Sequence, residues 1–142
     1  MIIAEIKNDS LFSIYVKNNK QSNIQIIPQD NKLKLIQEAL TSDKKWKPIE
    51  FWVNSNCGMS YLRGINFKSG EIIGLTSKKY EGNFKTKIRF KVVINRNVYY
   101  SNAIATSINI SKFKKSVWYN RFKAVYYSNK NEKEVENILF LN

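Results

Sequence analysis

The sequence contains no histidine, which removes the usual general base, the commonest metal ligand and every triad built on imidazole. Carboxylates are then the groups left for acid, base or metal work. Glu38, Asp43 and Glu50 fall on a predicted helix end, a loop and a strand start, where solvated acids ordinarily sit. A metal-dependent nuclease instead needs acids converging from neighbouring strands, with a lysine beside them to meet the developing charge. Glu5-Ile6-Lys7 places Glu-x-Lys on a strand, but no acid precedes it, and the pair reads as a surface ion pair. Cys57 is the only cysteine, so an internal disulfide and a multi-cysteine zinc site are excluded. Without imidazole its thiolate would need a lysine or a helix start to form. Gly64, Gly70 and Gly74 belong to neither a phosphate loop nor a dinucleotide fingerprint and read as turn residues. The sequence therefore assigns no catalytic residue, metal ligand or cofactor, and an enzyme is the last of the readings carried forward.

The remaining chemistry lies in cations and aromatic rings. The formal net charge is +13, and a lysine and asparagine bias of the kind AT-rich coding produces accounts for part of it. Position is more telling than total. Residues 82–131 contain no Asp or Glu but hold 11 of the 24 basic residues: Lys85, Lys87, Arg89, Lys91, Arg96, Lys112, Lys114, Lys115, Arg121, Lys123 and Lys130. The same window carries Phe84, Phe90, Tyr99, Tyr100, Phe113, Trp118, Tyr119, Phe122, Tyr126 and Tyr127. Same-face side chains recur about every 6.6 to 6.8 Å along a strand, so Lys85, Lys87, Arg89 and Lys91 are expected to form a line suited to a polyanion. Proteins that hold single-stranded nucleic acid set phosphates against such charges and stack bases on exposed rings. The plainer reading is a solvated strand face whose lysines discourage edge-to-edge aggregation.

The elements that would position these groups follow from periodicity and turn chemistry. The organising stretch is 84–94, FKTKIRFKVVI, with apolar residues alternating against cations as on a strand with one buried face. Strands are predicted at 2–7, 11–17, 23–27, 49–53, 61–67, 71–76 and 98–107. Asn95-Arg96-Asn97 reads as a three-residue hairpin loop, which would set Val93 opposite Tyr99, Lys91 opposite Ser101 and Arg89 opposite Ala103. Asp30 or Asn31 is expected to cap a helix carrying Leu33, Ile36 and Leu40. Residues 112–127 satisfy both periodicities and are read as a strand at 117–127, while 131–139, with early acids and late apolar residues, reads as a terminal helix. An echo relates Arg89-Phe90-Lys91 and Val98-Tyr99-Tyr100-Ser101-Asn102 to Arg121-Phe122-Lys123 and Val125-Tyr126-Tyr127-Ser128-Asn129, which would suit a duplicated strand unit. The expected fold is α+β: a mostly antiparallel sheet with one or two short helices, in a single domain spanning 1–142.

These features point first to a non-enzymatic nucleic-acid-binding protein favouring single strands or RNA. Lys85, Lys87, Arg89, Lys91, Arg96, Lys112, Lys114, Lys115, Arg121 and Lys123 would lie on phosphates, and Tyr99, Trp118, Tyr119 and Tyr126 would stack on bases. The alternatives are a small viral or mobile-element factor that engages an acidic surface of a host protein, and a pocket for an anionic nucleotide. No run of about eighteen apolar residues is present, so no membrane span is expected, and the cytoplasm, or the host cytoplasm for a viral protein, is the expected compartment.

Overall fold

A computed structural model describes all residues from Met1 to Asn142. In chain order its strands are β1 (Ile2–Ile6), β2 (Leu11–Lys17), β3 (Ile24–Ile26), β4 (Lys34–Leu40), β5 (Trp46–Pro48), β6 (Ile65–Phe67), β7 (Ile72–Lys78), β8 (Phe84–Ile94), β9 (Asn97–Tyr100) and β10 (Ile104–Ile108). The helices are α1 (Val117–Tyr126) and α2 (Glu132–Leu139). All strand pairs are antiparallel, and the architecture is the mostly antiparallel α+β class that the sequence predicts.

Two sheets face each other. One runs β1-β2-β7 and the other β10-β8-β4-β5, with β9 continuing the β10 side of β8, while β3 and β6 form a separate ribbon. The alternation in β8 does what its pattern requires: Ile88, Phe90, Val92 and Ile94 are buried against Phe12, Ile14 and Val16 of β2 in a cluster of 15 buried side chains. Phe12 meets Phe90 edge to face at 5.5 Å. Each such side chain contributes about 1.5 to 3 kcal/mol when fully buried. The outer edge of β1 is closed by a side chain, since the Asn102 amide accepts from Ala4 N at 2.8 Å and donates to Ala4 O at 2.9 Å. Gly82 is required by close approach: a Cβ there would stand 2.1 Å from Asn109 N.

Several expectations are corrected. The predicted helix at Leu33 to Leu40 is strand β4, laid centrally between β8 and β5. Its Leu-Ile-Gln-Glu-Ala sequence favours a helix locally, and pairing with β8 and β5 together with burial on both sides outweighs that preference. Asp30 and Asn31 take positive φ angles of 50° and 62° inside a tight Gln29–Lys32 turn instead of capping a helix. The predicted strand at 49–53 is irregular. Ile49 N makes one more bond to Gln37 O, and Trp52 N then turns to Leu139 O at 2.8 Å, so the chain leaves the sheet to meet α2. Of 61–67 only β6 is a strand, and the remainder includes a 3-10 turn at Gly58–Tyr61.

The hairpin after β8 lies where expected but turns on two residues, Asn95 and Arg96, with φ of 49° and 67°. The register is therefore Val93 opposite Val98, Val92 opposite Tyr99 and Lys91 opposite Tyr100, one residue from the prediction. The predicted strand at 117–127 is helix α1. The Ser116 side chain caps it by accepting from Tyr119 N, and helical geometry buries Tyr119 against Val135 and Leu139. The Arg-Phe-Lys echo thus lies once on a strand and once on a helix and marks no duplicated unit. Helix α2 forms as predicted, with Asn131 and Glu134 in a reciprocal capping box and acids in its first turn.

Candidate nucleic-acid interface

The line of cations on β8 does not survive folding intact. Residues opposite one another on a ladder share a side, so Glu38 of β4 stands beside Arg89, and Ile36 beside Lys91. Arg89 donates from Nε to Glu38 Oε2 at 2.8 Å, with Nη2 at 2.7 Å from the same oxygen. Its guanidinium lies 4.5 Å from the ring centre of Trp46 and 3.8 Å from that of Tyr100. Lys91 is 3% exposed and donates to Phe140 O at 3.0 Å and Asn142 Oδ1 at 2.6 Å, with Glu38 Oε1 at 3.7 Å. Burial pulls the Lys91 ammonium below its ordinary pKa, against the pull of Glu38. Both cations are structural: Arg89 ties β8 to β4, β5 and β9, and Lys91 ties the outer side of the sheet to the C-terminal end. The sequence expectation of four cations in an exposed row is corrected to two, Lys85 and Lys87, which are exposed opposite Ser107 and Ala105.

The other cations divide further. Arg96 lies at the hairpin tip, at the far end of β8 from Lys85. Lys115 pairs with Glu132 and with Glu136 at 2.7 Å, and Lys123 pairs with Glu132. These bonds fasten α1 to α2 and leave neither ammonium free. The hydrogen bonds from Lys115, Lys123 and Tyr119 hold the Glu132 carboxyl at about 2. A carboxyl with a depressed folded-state pKa stabilises the fold above its ordinary value and loses that contribution as pH falls through the depressed one. Wild-type stability is accordingly expected to decline between about pH 4.5 and 2 in a step that Glu132→Gln flattens, as read by thermal melting in an acid series.

Lys112, Lys114 and Arg121 remain, and none forms an ion pair. Lys112 and Lys114 border a cleft of about 730 Å³ between the segment after β5, the Tyr80 loop and the C-terminal helices. Phe51, Trp52, Tyr80, Phe113, Tyr119 and Phe140 supply its aromatic lining, and Lys47 adds a third unpaired cation. Lys112 Nζ sits 3.5 Å from the Tyr80 ring centre. Within the cleft Glu50 accepts from Gln37 N and Nε2, each at 3.0 Å, and from Tyr80 OH at 2.7 Å. Burial raises the Glu50 pKa, and the Tyr80 bond opposes that rise.

The rings expected to stack on bases also separate. Tyr119 is 1% exposed, stacks on Phe140 at 5.4 Å and donates to Glu132 Oε1, so it is unavailable to a base. Tyr99 is 40% exposed on β9, the edge of its sheet. Trp118 and Tyr126 are 60% and 53% exposed on α1, where the Arg121 guanidinium lies 5.4 Å from the Trp118 ring. Sequence reasoning missed Lys47 and Tyr80 and read Glu50 as a solvated acid, whereas it is largely buried and takes three hydrogen bonds. The available signal was Glu50 itself, an acid set among Pro48, Ile49, Phe51 and Trp52.

No three of His, Cys, Asp and Glu stand close enough to hold a metal ion. Cys57 is an exposed free thiol. Glu5 accepts from Tyr15 OH at 3.1 Å and makes no ion pair with Lys7, contrary to the expected surface pair. No helix is long and apolar enough to cross a membrane. No known protein family, curated protein or solved structure matches the chain.

Proposed function

We propose that this is a non-enzymatic nucleic-acid-binding protein that takes a single strand across its C-terminal face. One observation carries the reading: Lys47, Lys112 and Lys114, all without carboxylate partners, surround an aromatic cleft whose rim runs through Ser116 into α1, where Trp118 and Arg121 stand exposed together. Phosphates lie against the ammonium groups, and bases stack on Trp118 and Tyr126. Lys85, Lys87 and Arg96 add diffuse positive potential that speeds encounter. Arg89, Lys91, Lys115, Lys123 and Tyr119 have structural roles.

Fluorescence anisotropy with labelled single-stranded RNA and DNA tests the reading. Binding that weakens with salt and with reversal of the exposed cations supports it, and salt-insensitive or absent binding contradicts it. A second reading, a protein partner with an acidic surface, is favoured by Val117 and Val125, which are 83% and 62% exposed on α1 and offer no face for base stacking. A protein that stays bound after nuclease treatment, and is released by Val125→Asp, would select this second reading.

A further inference from the structure

The structure assigns the aromatic cleft as a seat for one nucleotide whose base presents an amino group to Glu50 and whose phosphate meets Lys47 and Lys114. The inference rests on the reading of this face as one that meets nucleic-acid chemistry, and it names the unit recognised there. Its starting point is the carboxylate. Glu50 lines the cleft, has no ion pair, and receives three hydrogen bonds, one on Oε2 and two on Oε1. Because all three partners donate, the group is held as an acceptor. A carboxylate has about four acceptor positions, so one remains on Oε2.

The carboxyl lies in a cleft lined by Leu35, Ile49, Phe51 and Phe113 as well as by lysines, and its charge carries a desolvation cost that the three hydrogen bonds offset only in part. A ligand donor at the open position would offset that cost. The Lys112 charge favours ionised Glu50, but its ammonium sits over the Tyr80 ring and forms no ion pair with the carboxylate. The aromatic lining suits a flat heterocycle, and the volume of about 730 Å³ falls within the usual range for small-molecule sites. Lys47 and Lys114 are exposed at the mouth, where a phosphate would remain partly hydrated.

The donor requirement orders the bases. Adenine, cytosine and guanine carry an exocyclic amino group. Uracil offers one ring N–H flanked by two carbonyl oxygens, which a carboxylate repels. A terminal residue of a strand and a free nucleoside monophosphate share this chemistry.

The test is titration of the full chain with AMP, CMP, GMP, UMP and inorganic phosphate, followed by 15N-resolved NMR. The expected result is saturable shifts at residues 49–52 and 112–116 and at the Trp52 indole with the three amino-bearing nucleotides. UMP should bind about tenfold more weakly, the loss expected for one hydrogen bond to a charged group. Glu50→Gln should bring UMP level with the others, and Lys114→Ala, which leaves the carboxylate in place, should weaken all four. Linear and circular oligonucleotides separate the sources: binding of linear strands alone assigns a strand end, and mononucleotide binding with neither assigns a free nucleotide. Equal affinity for UMP, or shifts confined to other surfaces, overturns the inference. If oligonucleotides bind while mononucleotides leave the cleft unperturbed, the inference fails and the strand-binding reading stands. If nothing binds, both fail.

Discussion

Arg89→Ala is expected to reduce the free energy of unfolding by about 3 to 5 kcal/mol, the range for removing one partner of a buried ion pair. The loss arises chiefly from what remains. Glu38 has 7% of its side chain exposed, and without the guanidinium it keeps only Lys91 at 3.7 Å. Trp46 and Tyr100 also lose the planar cation that lies against both rings. Urea denaturation of wild type and variant checks this, with a lower midpoint and an unchanged slope expected. Replacing Glu38 and Arg89 together by Leu and Met should recover most of the loss, because no charge is then stranded. Lys87→Ala on the same strand should change stability by less than about 0.5 kcal/mol, as for an ordinary surface position. A loss below about 1 kcal/mol for Arg89→Ala would mean that the pair behaves as a surface contact and that Arg89 is free for another partner.

Reversing Lys47, Lys114 and Arg121 to Glu is expected to weaken single-strand binding by a hundredfold or more at about 0.1 M salt, with the fold retained. All three side chains are exposed and unpaired in the folded protein, so their loss leaves no buried charge alone. Each phosphate contact on a single strand contributes about −0.7 to the slope of log affinity against log salt. Three lost contacts should therefore make the slope shallower by about 2. Trp118→Ala is the complementary change, expected to remove about 1 to 3 kcal/mol of stacking with little effect on salt dependence. Anisotropy across a salt series separates the two. A triple variant that binds as tightly as wild type would exclude this face as the route of the strand.

Much of the fold is legible in the sequence where the information is local. The alternation in β8 announces a strand buried on one side, and Asn131 with Glu134 announces the start of α2, because each signal involves neighbours within a few residues. The Asn95-Arg96 turn is legible in place but not in register, since one residue more or less in a hairpin loop moves every opposing pair. Strand β4 is illegible because Leu33, Ile36 and Leu40 match a helical face, and only pairing with β8, some fifty residues later, decides otherwise. Helix α1 is hidden by Val117, Trp118, Tyr119 and Phe122, residues that favour strands in isolation.

The site was less legible for the same reason. Counting acids along the chain showed none between residues 82 and 131, yet folding brings Glu38 to Arg89 and Lys91 and Glu132 to Lys115 and Lys123 from outside that window. What remains exposed and unpaired is smaller than the sequence promised and lies mainly around the cleft and α1. The cleft draws on residues from β4 to the C-terminal end, a juxtaposition that no spacing in the sequence records.

Photocrosslinking tests the central claim most directly. A single strand carrying 4-thiouridine at successive positions would be irradiated with the wild-type protein and the adducts mapped by peptide mass spectrometry. Adducts on Trp118, Tyr126 and the 112–116 segment, lost at high salt, are the predicted result. Adducts confined to Tyr15, Tyr99 or the Cys57 loop, or none at all under conditions where the protein is folded, would contradict it.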